Sequence, residues 1–262
     1  MQLAVQNECS NNSTSPAWGL DVMTLLIAFK GASGIALAAD SRLTLKMPDE
    51  TPHIHYDGEE KLLTFSKHPF VAAAVYGAGL LGSYEHPRPA VSYIQEFEQT
   101  TDAELPVKEF AHRLGGFFSE KQKEARISRI DTISLLVAGF DPQPSLEPYG
   151  KVFDVSTQGA VSVTERLEGY LGIYPAGMTD VIHALKIKDT VPLQSLPLDS
   201  AKRLLVTLIH VSAGIMSFST STRGVGGFVD VATITKSRPC KVERIQKTVL
   251  PDVTFEGVEA IG

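Results

Sequence analysis

Residues 23–44 read MTLLIAFKGASGIALAADSRLT, and this stretch decides the fold. The apolar run at residues 25–29 has the length and residue types of a β-strand, and a second apolar run covers residues 35–39. Glycines flank the short segment between the runs, which predicts a hairpin turn. Because neither run alternates with polar residues, we predict a hairpin buried on both faces in a central sheet. Its returning strand brings Asp40 level with Thr24.

The composition excludes several classes of protein. The chain has 262 residues, of which 43% are hydrophobic and 21% charged, as is typical of soluble globular proteins. A net charge of −6 and the lack of a basic cluster argue against nucleic-acid binding. No apolar run approaches the ~20 residues that a membrane span needs. Cys9 and Cys240 form neither a disulfide framework nor a metal-binding set, so we expect a reducing, cytoplasmic location.

Residues 1–22 have a polar composition without periodicity, and we expect them to be a disordered leader. This leader is either a propeptide or the result of a mis-assigned start, with the true start codon encoding Met23. Methionine aminopeptidase removes a methionine that precedes a small residue, and this step would expose Thr24 as the N-terminus. No repeat or linker interrupts residues 23–262, which predicts a single domain.

Further along the chain, strand patterns and helix patterns alternate in blocks. Strand blocks separated by helix pairs predict an α+β fold in which two sheets pack face to face with helices outside. We predict a loop at 46–59; strands at 61–65, 70–76, 132–140, 149–155, 160–164, 228–235 and 242–246; and helices at 89–99, 107–125, 177–188 and 200–216.

Four motifs carry a resemblance to a known family: the hairpin at 24–44 with its Ala-Ala-Asp-Ser-Arg-x-Thr end, the strand Lys61–Leu63, the glycine turn Val75–Gly79, and the strand and turn Ser134–Asp141. The chain resembles the proteasome β-type subunits, which are N-terminal-nucleophile hydrolases, and especially their bacterial proteasome-like members. The resemblance implies a four-layer αββα sandwich and a threonine-type endopeptidase without cofactor or metal. It also implies a homo-oligomer that acts on peptides or unfolded proteins, with an unidentified ATPase as a possible partner.

The resemblance assigns a role to each candidate catalytic residue. The hydroxyl of Thr24 is the nucleophile, and its α-amine is the base. Lys61 keeps that amine neutral and stabilises the developing alkoxide, while Asp40 holds Lys61 in its charged form. Arg42 braces this cluster, and the backbone N–H of Gly77 faces the developing oxyanion.

Substrate-binding residues follow from the same resemblance. Thr44 and Gly79 are expected to pair with an extended peptide, which binds as an added strand. Gly79 also leaves room at the mouth of a pocket that favours apolar or small residues before the cleaved bond. Glu59 lies near this pocket and could admit a basic side chain instead. The other expected pocket residues are Leu43, Leu63 and Val75.

The chain departs from the family pattern around the threonine amine. Catalytic members place two serines and an aspartate there, whereas the matching segments of this chain contain Ala176, Val225 and Thr222. Arg223 adds a charge beside them. A second hypothesis is therefore a catalytically silent subunit that serves assembly or a scaffold.

Other chemistries find less support in the sequence. His53 and His55 occupy alternate positions that could face a metal, but no third ligand recurs nearby. No Gly-x-Ser-x-Gly nucleophile elbow and no phosphate-binding glycine loop occurs.

Overall fold

The computed structural model describes residues 24–46, 52–77, 79–83, 86–101, 105–124, 133–142, 148–218 and 224–246. In chain order the strands are β1 (Leu25–Gly31), β2 (Gly34–Asp40), β3 (Arg42–Lys46), β4 (Pro52–Asp57), β5 (Leu62–Thr64), β6 (Val71–Gly77), β7 (Leu80–Ser83), β8 (His86–Pro89), β9 (Ile133–Gly139), β10 (Lys151–Ser156), β11 (Ser162–Arg166), β12 (Gly172–Gly177), β13 (Val229–Thr235) and β14 (Arg238–Ile245). The helices are α1 (Ile94–Thr100), α2 (Val107–Glu124), α3 (Asp180–Ala184), α4 (Ile187–Thr190) and α5 (Leu198–Ser217), with 3-10 turns at Ala90–Tyr93 and Leu193–Ser195.

The strands form two five-stranded antiparallel sheets and two ribbons. The first sheet has the order β12-β1-β2-β13-β14, and the second has the order β11-β10-β9-β6-β5. The ribbons pair β3 with β4 and β7 with β8. The prediction of a mixed α and β fold is confirmed.

The central hairpin has the predicted register. In β1 and β2 every residue is buried, so continuous apolarity corresponds to coverage on both faces. Leu26 lies opposite Ala39, which places Asp40 beside Leu25 and therefore next to Thr24. The hairpin thus carries the first two candidate residues to the same end of the sheet.

Three apolar clusters surround these sheets. One contains residues from both five-stranded sheets, such as Ala28 and Leu136. A second joins β5, β6, β9 and β10 to α1 and α2, where Phe110 lies edge-on to Phe65 with the ring centroids 4.7 Å apart. The third joins β1, β2 and β13 to α3 and α5, with Leu205 among its fully buried members.

Two sequence predictions about local structure are wrong. Residues 52–57 were predicted as loop, but they form β4, because pairing with β3 satisfies a backbone whose prolines and polar residues are typical of a loop. The helix predicted at 177–188 is interrupted. Gly177 ends a strand, and Lys186 takes a left-handed conformation between α3 and α4. The leader at 1–22 lies outside the described residues.

Within the described part of the chain, no helix combines the length and apolarity required to cross a membrane.

Candidate active site

Thr24 is held at the start of β1 by its own carbonyl group. The carbonyl oxygen accepts a hydrogen bond of 2.8 Å from the backbone N–H of Met178. Gly177, with φ of 80°, passes so close that a Cβ there would overlap this oxygen, so the position requires glycine. The Thr24 side chain is buried, and its hydroxyl has no hydrogen-bond partner among the described residues. A buried hydroxyl left without a partner is a candidate for chemistry.

Asp40 is the centre of the hydrogen-bond network beside Thr24. Its Oδ1 accepts the N–H of Leu25 at 2.9 Å and Nζ of Lys61 at 3.1 Å. Its Oδ2 accepts the backbone N–H of Arg42 at 3.2 Å and that of Gly226 at 3.1 Å. The carboxylate therefore has a donor from each of four separate chain segments.

Lys61 places a cation in the same buried space. Its Nζ donates to the backbone oxygen of Arg42 at 2.6 Å as well as to Asp40, and its side chain is only 3% exposed. Leu25 N–H and Lys61 Nζ donate to the same oxygen of Asp40. Because Leu25 directly follows Thr24, this shared acceptor brings the ammonium group close to the backbone at Thr24. The site thus brings together a hydroxyl, a carboxylate and an amine away from solvent.

Burial and charge act in opposite directions on this pair. Burial raises the pKa of Asp40, an effect opposed by the charge of Lys61 and by the backbone donors Leu25 and Gly226. Burial likewise lowers the pKa of Lys61, opposed by the charge of Asp40 and by its hydrogen bond. A lysine with a lowered pKa is a stronger candidate for proton chemistry than a solvated one.

Arg42 contacts the cluster through its backbone, while its guanidinium pairs with a carboxylate that was not predicted. Nε and Nη2 lie 2.7 Å and 2.8 Å from the two carboxylate oxygens of Asp57. The contacts of Arg42 with Asp40 and Lys61 come from its backbone N–H and carbonyl. Sequence reasoning missed Asp57 because it falls in the segment predicted as loop.

The segment 225–228 completes the surroundings of Asp40. Ser41 N–H donates to the Phe228 carbonyl at 2.9 Å, and Ser41 Oγ accepts the N–H of Phe228 at 2.7 Å. A Cβ on Gly226 would lie 2.5 Å from the guanidinium carbon of Arg42, so a larger residue here would require that side chain to move. Sequence reasoning did not identify these contacts, because the donor to Asp40 is a backbone N–H.

Gly77, the predicted oxyanion donor, and Gly79, a predicted peptide-binding residue, lie at and just beyond the end of β6. Gly77 ends β6 with φ of 79°, opposite Ile133. The carbonyl of Gly79 accepts the N–H of Ala90 at 3.3 Å, and Ala78 lies outside the described residues. The role of Gly77 toward an oxyanion and that of Gly79 toward a peptide stay predictions.

The remaining substrate residues fall into two groups. Leu43 and Thr44 are buried in β3, and the hydroxyl of Thr44 has no hydrogen-bond partner within the described ranges. Leu63 and Val75 belong to the apolar cluster with α1 and α2. Glu59 is half-buried, and its charge raises the pKa of Lys61. The expected pocket formed by these residues stays a prediction.

The positions that depart from the family pattern are apolar where the structure describes them. Ala176 lies in the cluster shared by the two sheets, and Val225 lies in the cluster with α3 and α5. Thr222 and Arg223 lie outside the described residues. The side chains of His53 and His55 also lie outside them, so the structure does not test a metal site there.

Comparison with known proteins supports the fold. No family model matches the chain, and no curated protein matches it. Its structure is similar to the solved structure of Anbu (ancestral beta-subunit) from Yersinia bercovieri, with a TM-score of 0.59 and 18% sequence identity. The match covers 86% of this chain and 88% of Anbu. At this identity the likeness establishes a common fold alone.

The sequence-based assignment to the proteasome β-type subunits is wrong. No family model matches the chain, and Anbu, whose structure is similar, is a distinct protein with only 18% sequence identity. The assignment depended on four short motifs between residues 24 and 141.

Proposed function

We propose that this chain is a threonine-type endopeptidase that cleaves amide bonds with Thr24 as an N-terminal nucleophile. The observation that carries the proposal is the buried hydroxyl of Thr24, which has no hydrogen-bond partner in the described structure and adjoins the buried Asp40–Lys61 pair. A hydroxyl nucleophile next to a buried carboxylate–amine pair fits covalent amide hydrolysis. The proposal requires that Thr24 become the first residue.

Once Thr24 is the first residue, the chemistry needs only its own hydroxyl and α-amine, Lys61, an oxyanion donor and a water. The Thr24 hydroxyl oxygen attacks the carbonyl carbon of the substrate amide, and its proton passes to the α-amine of Thr24. The ammonium of Lys61 disfavours a second cation nearby and so keeps this amine, with an ordinary pKa near ~8, in its neutral form. The amine then gives the proton to the leaving nitrogen as the C–N bond breaks. Water hydrolyses the resulting ester with the same amine as base, which restores the hydroxyl.

The oxyanion formed in both steps needs donors in fixed positions. We assign this role to the backbone N–H of Gly77, which lies at the end of β6 in a conformation that favours glycine. An extended peptide would bind beside Thr44 and Gly79, with Leu43, Leu63 and Val75 around the side chain before the cleaved bond.

The architecture and assembly complete the proposal. We propose a single domain over residues 23–262, in which the three apolar clusters correspond to the interfaces of a four-layer αββα sandwich. A homo-oligomer is supported by the name of Anbu as a beta-subunit and by three exposed apolar residues along one side of α5 and just beyond it: Val211, Ile215 and Phe218. A protein that stays monomeric in light scattering at micromolar concentration would contradict this assembly.

The location is proposed from the cysteines. Cys240 is free in the described structure, and the chain contains one other cysteine, Cys9, which is too few for a disulfide-rich scaffold. We therefore propose a cytoplasmic protein, and recovery of the chain from a secreted or envelope fraction would contradict this location.

A silent subunit is the second candidate function, and the apolar environments of Ala176 and Val225 favour it. Serines at these positions would supply hydroxyls to the threonine amine, whereas alanine and valine supply none. The alternative predicts a chain that assembles but does not react.

Intact mass spectrometry combined with a peptidase assay separates the two functions. Protein expressed from its own gene should have a mass that begins at Thr24, should cleave fluorogenic peptides, and should lose activity in Thr24→Ala. A chain that begins at Thr24 and cleaves nothing supports the silent subunit. A chain that retains residues 1–22 contradicts the peptidase proposal, since a blocked amine cannot act as base.

A further inference from the structure

A part-buried carboxylate, that of Asp154 on β10, lies between the two five-stranded sheets. Its Oδ2 accepts the hydroxyl of Tyr174 at 2.7 Å and Nη2 of Arg166 at 2.9 Å, and its Oδ1 accepts the hydroxyl of Tyr76. The side chain of Asp154 is 13% exposed. None of these four residues has a role in the proposed chemistry.

The two tyrosines connect this carboxylate to opposite sides of the candidate site. Tyr76 directly precedes Gly77, the proposed oxyanion donor, on β6 of the second sheet. Tyr174 lies on β12 of the first sheet, three residues before Gly177, which holds the carbonyl of Thr24. At about 3.3 Å per residue, Tyr174 is about 10 Å from that contact along the strand. The Tyr174 bond joins the two sheets.

β12 needs such a fixed point because it is the edge strand of its sheet. Among the described strands it pairs only with β1, and the residue after its end, Met178, donates its N–H to the Thr24 carbonyl. A shift of β12 relative to β6 would change the separation between Thr24 and Gly77. Misplacement of reacting groups by ~1 Å can reduce a rate about 100-fold.

The chemistry of the network favours a fixed geometry. Burial, followed by the hydrogen bond to Asp154, raises the pKa of Tyr174 to about 12, and the pKa of Tyr76 is raised for the same two reasons. Both phenols therefore stay protonated and donate at neutral pH. Hydrogen bonds to a carboxylate are shorter and stronger than neutral ones, and the guanidinium of Arg166 also lies 5.1 Å from the centroid of the Tyr174 ring.

We infer that Asp154 is a positioning residue that fixes the Thr24 side of the site against the Gly77 side through Tyr174 and Tyr76. The inference concerns the same site as the proposed function and rests on it for its catalytic consequence. The structural consequence, a β12 held in place by the Tyr174 bond, is independent of any activity.

The test uses the full chain with Tyr174→Phe, which removes the bond between the sheets and leaves the ring and the Asp154–Arg166 pair. We expect kcat to fall about 10- to 100-fold while KM changes less than about twofold, because geometry is altered and the binding surface is retained. Hydrogen exchange of the Met178 amide, followed by mass spectrometry of its peptide, should become about tenfold faster. Lys151→Gln is the control, because it removes a part-buried ion pair with Asp141 at the start of β10.

Tyr76→Phe provides a second, independent reading. It leaves the bond between the sheets, so it should lower kcat without accelerating exchange at Met178. Unchanged kcat and unchanged exchange in Tyr174→Phe would overturn the inference, as would equal effects in Lys151→Gln. If Tyr174→Phe does not fold, a normal kcat in Tyr76→Phe overturns it. If the wild type cleaves no peptide, the proposed function fails, and exchange at Met178 still decides whether Tyr174 fixes β12.

Discussion

The close approach of Gly177 to Thr24 gives the sharpest test of the site. In Gly177→Ala the new methyl group must occupy a φ of 80° and would overlap the carbonyl oxygen of Thr24. The left-handed conformation costs about 1–2 kcal/mol for a residue with a Cβ. Displacing the Met178 hydrogen bond from the Thr24 carbonyl costs about 0.5–1.5 kcal/mol more. We therefore expect the free energy of unfolding to fall by about 1.5–3.5 kcal/mol.

A second glycine offers a matched control for this substitution. Gly159 has φ of 72°, and a Cβ there would meet nothing within 4 Å, so Gly159→Ala incurs the conformational cost alone. Urea unfolding of both variants should show a loss for Gly177→Ala larger by about 1 kcal/mol, the value of the lost hydrogen bond, with peptidase activity reduced only in that variant. Equal losses in stability and normal activity for Gly177→Ala would refute the view that this contact positions Thr24.

Three further predictions follow from the site and the proposed pocket. Lys61→Ala should lower kcat/KM at least about 100-fold, because it removes the cation beside the nucleophile, whereas the control Lys151→Gln should leave kcat/KM unchanged. A Lys61→Ala protein that keeps most of the wild-type rate would disprove the role assigned to Lys61. Asp57→Asn should weaken the bidentate pair with Arg42 and lower the free energy of unfolding by about 1–2 kcal/mol in urea titrations. If Asp57→Asn has an equally large effect in a protein that already carries Arg42→Met, the pair is not responsible. Peptide-library profiling should show a preference for apolar or small residues before the cleaved bond, worth about 1–3 kcal/mol between peptides, and a preference for Arg or Lys that disappears in Glu59→Gln would contradict it.

The parts of the site that lie on one hairpin could be predicted from the sequence. Register in a tight hairpin depends on residues close in the chain, so the relation between Thr24 and Asp40 follows from the two apolar runs and the turn between them. The helix α2 is also local, since its buried residues Phe110, Leu114 and Phe118 recur at helical spacing.

The parts that depend on distant segments could not be predicted in this way. Asp57 lies on a strand whose sequence is typical of a loop, and pairing with β3 makes it a strand. Gly226 donates to Asp40 through its backbone N–H. Because every residue except proline has this group, the sequence does not indicate which residue donates. The Asp154 network joins four strands, and no spacing in the sequence relates Tyr76 to Tyr174.

The four donors to Asp40 also have a consequence for biosynthesis. They come from residues 25, 42, 61 and 226, so the last donor is separated from Asp40 by 186 positions along the chain. A ribosome must therefore extend the chain past residue 226 before the carboxylate acquires this donor, and contacts of such long range are slow to form. A nascent chain that ends before residue 226 would hold Thr24 and Lys61 beside an Asp40 that lacks the Gly226 hydrogen bond. The architecture thus makes assembly of the candidate site depend on synthesis past residue 226.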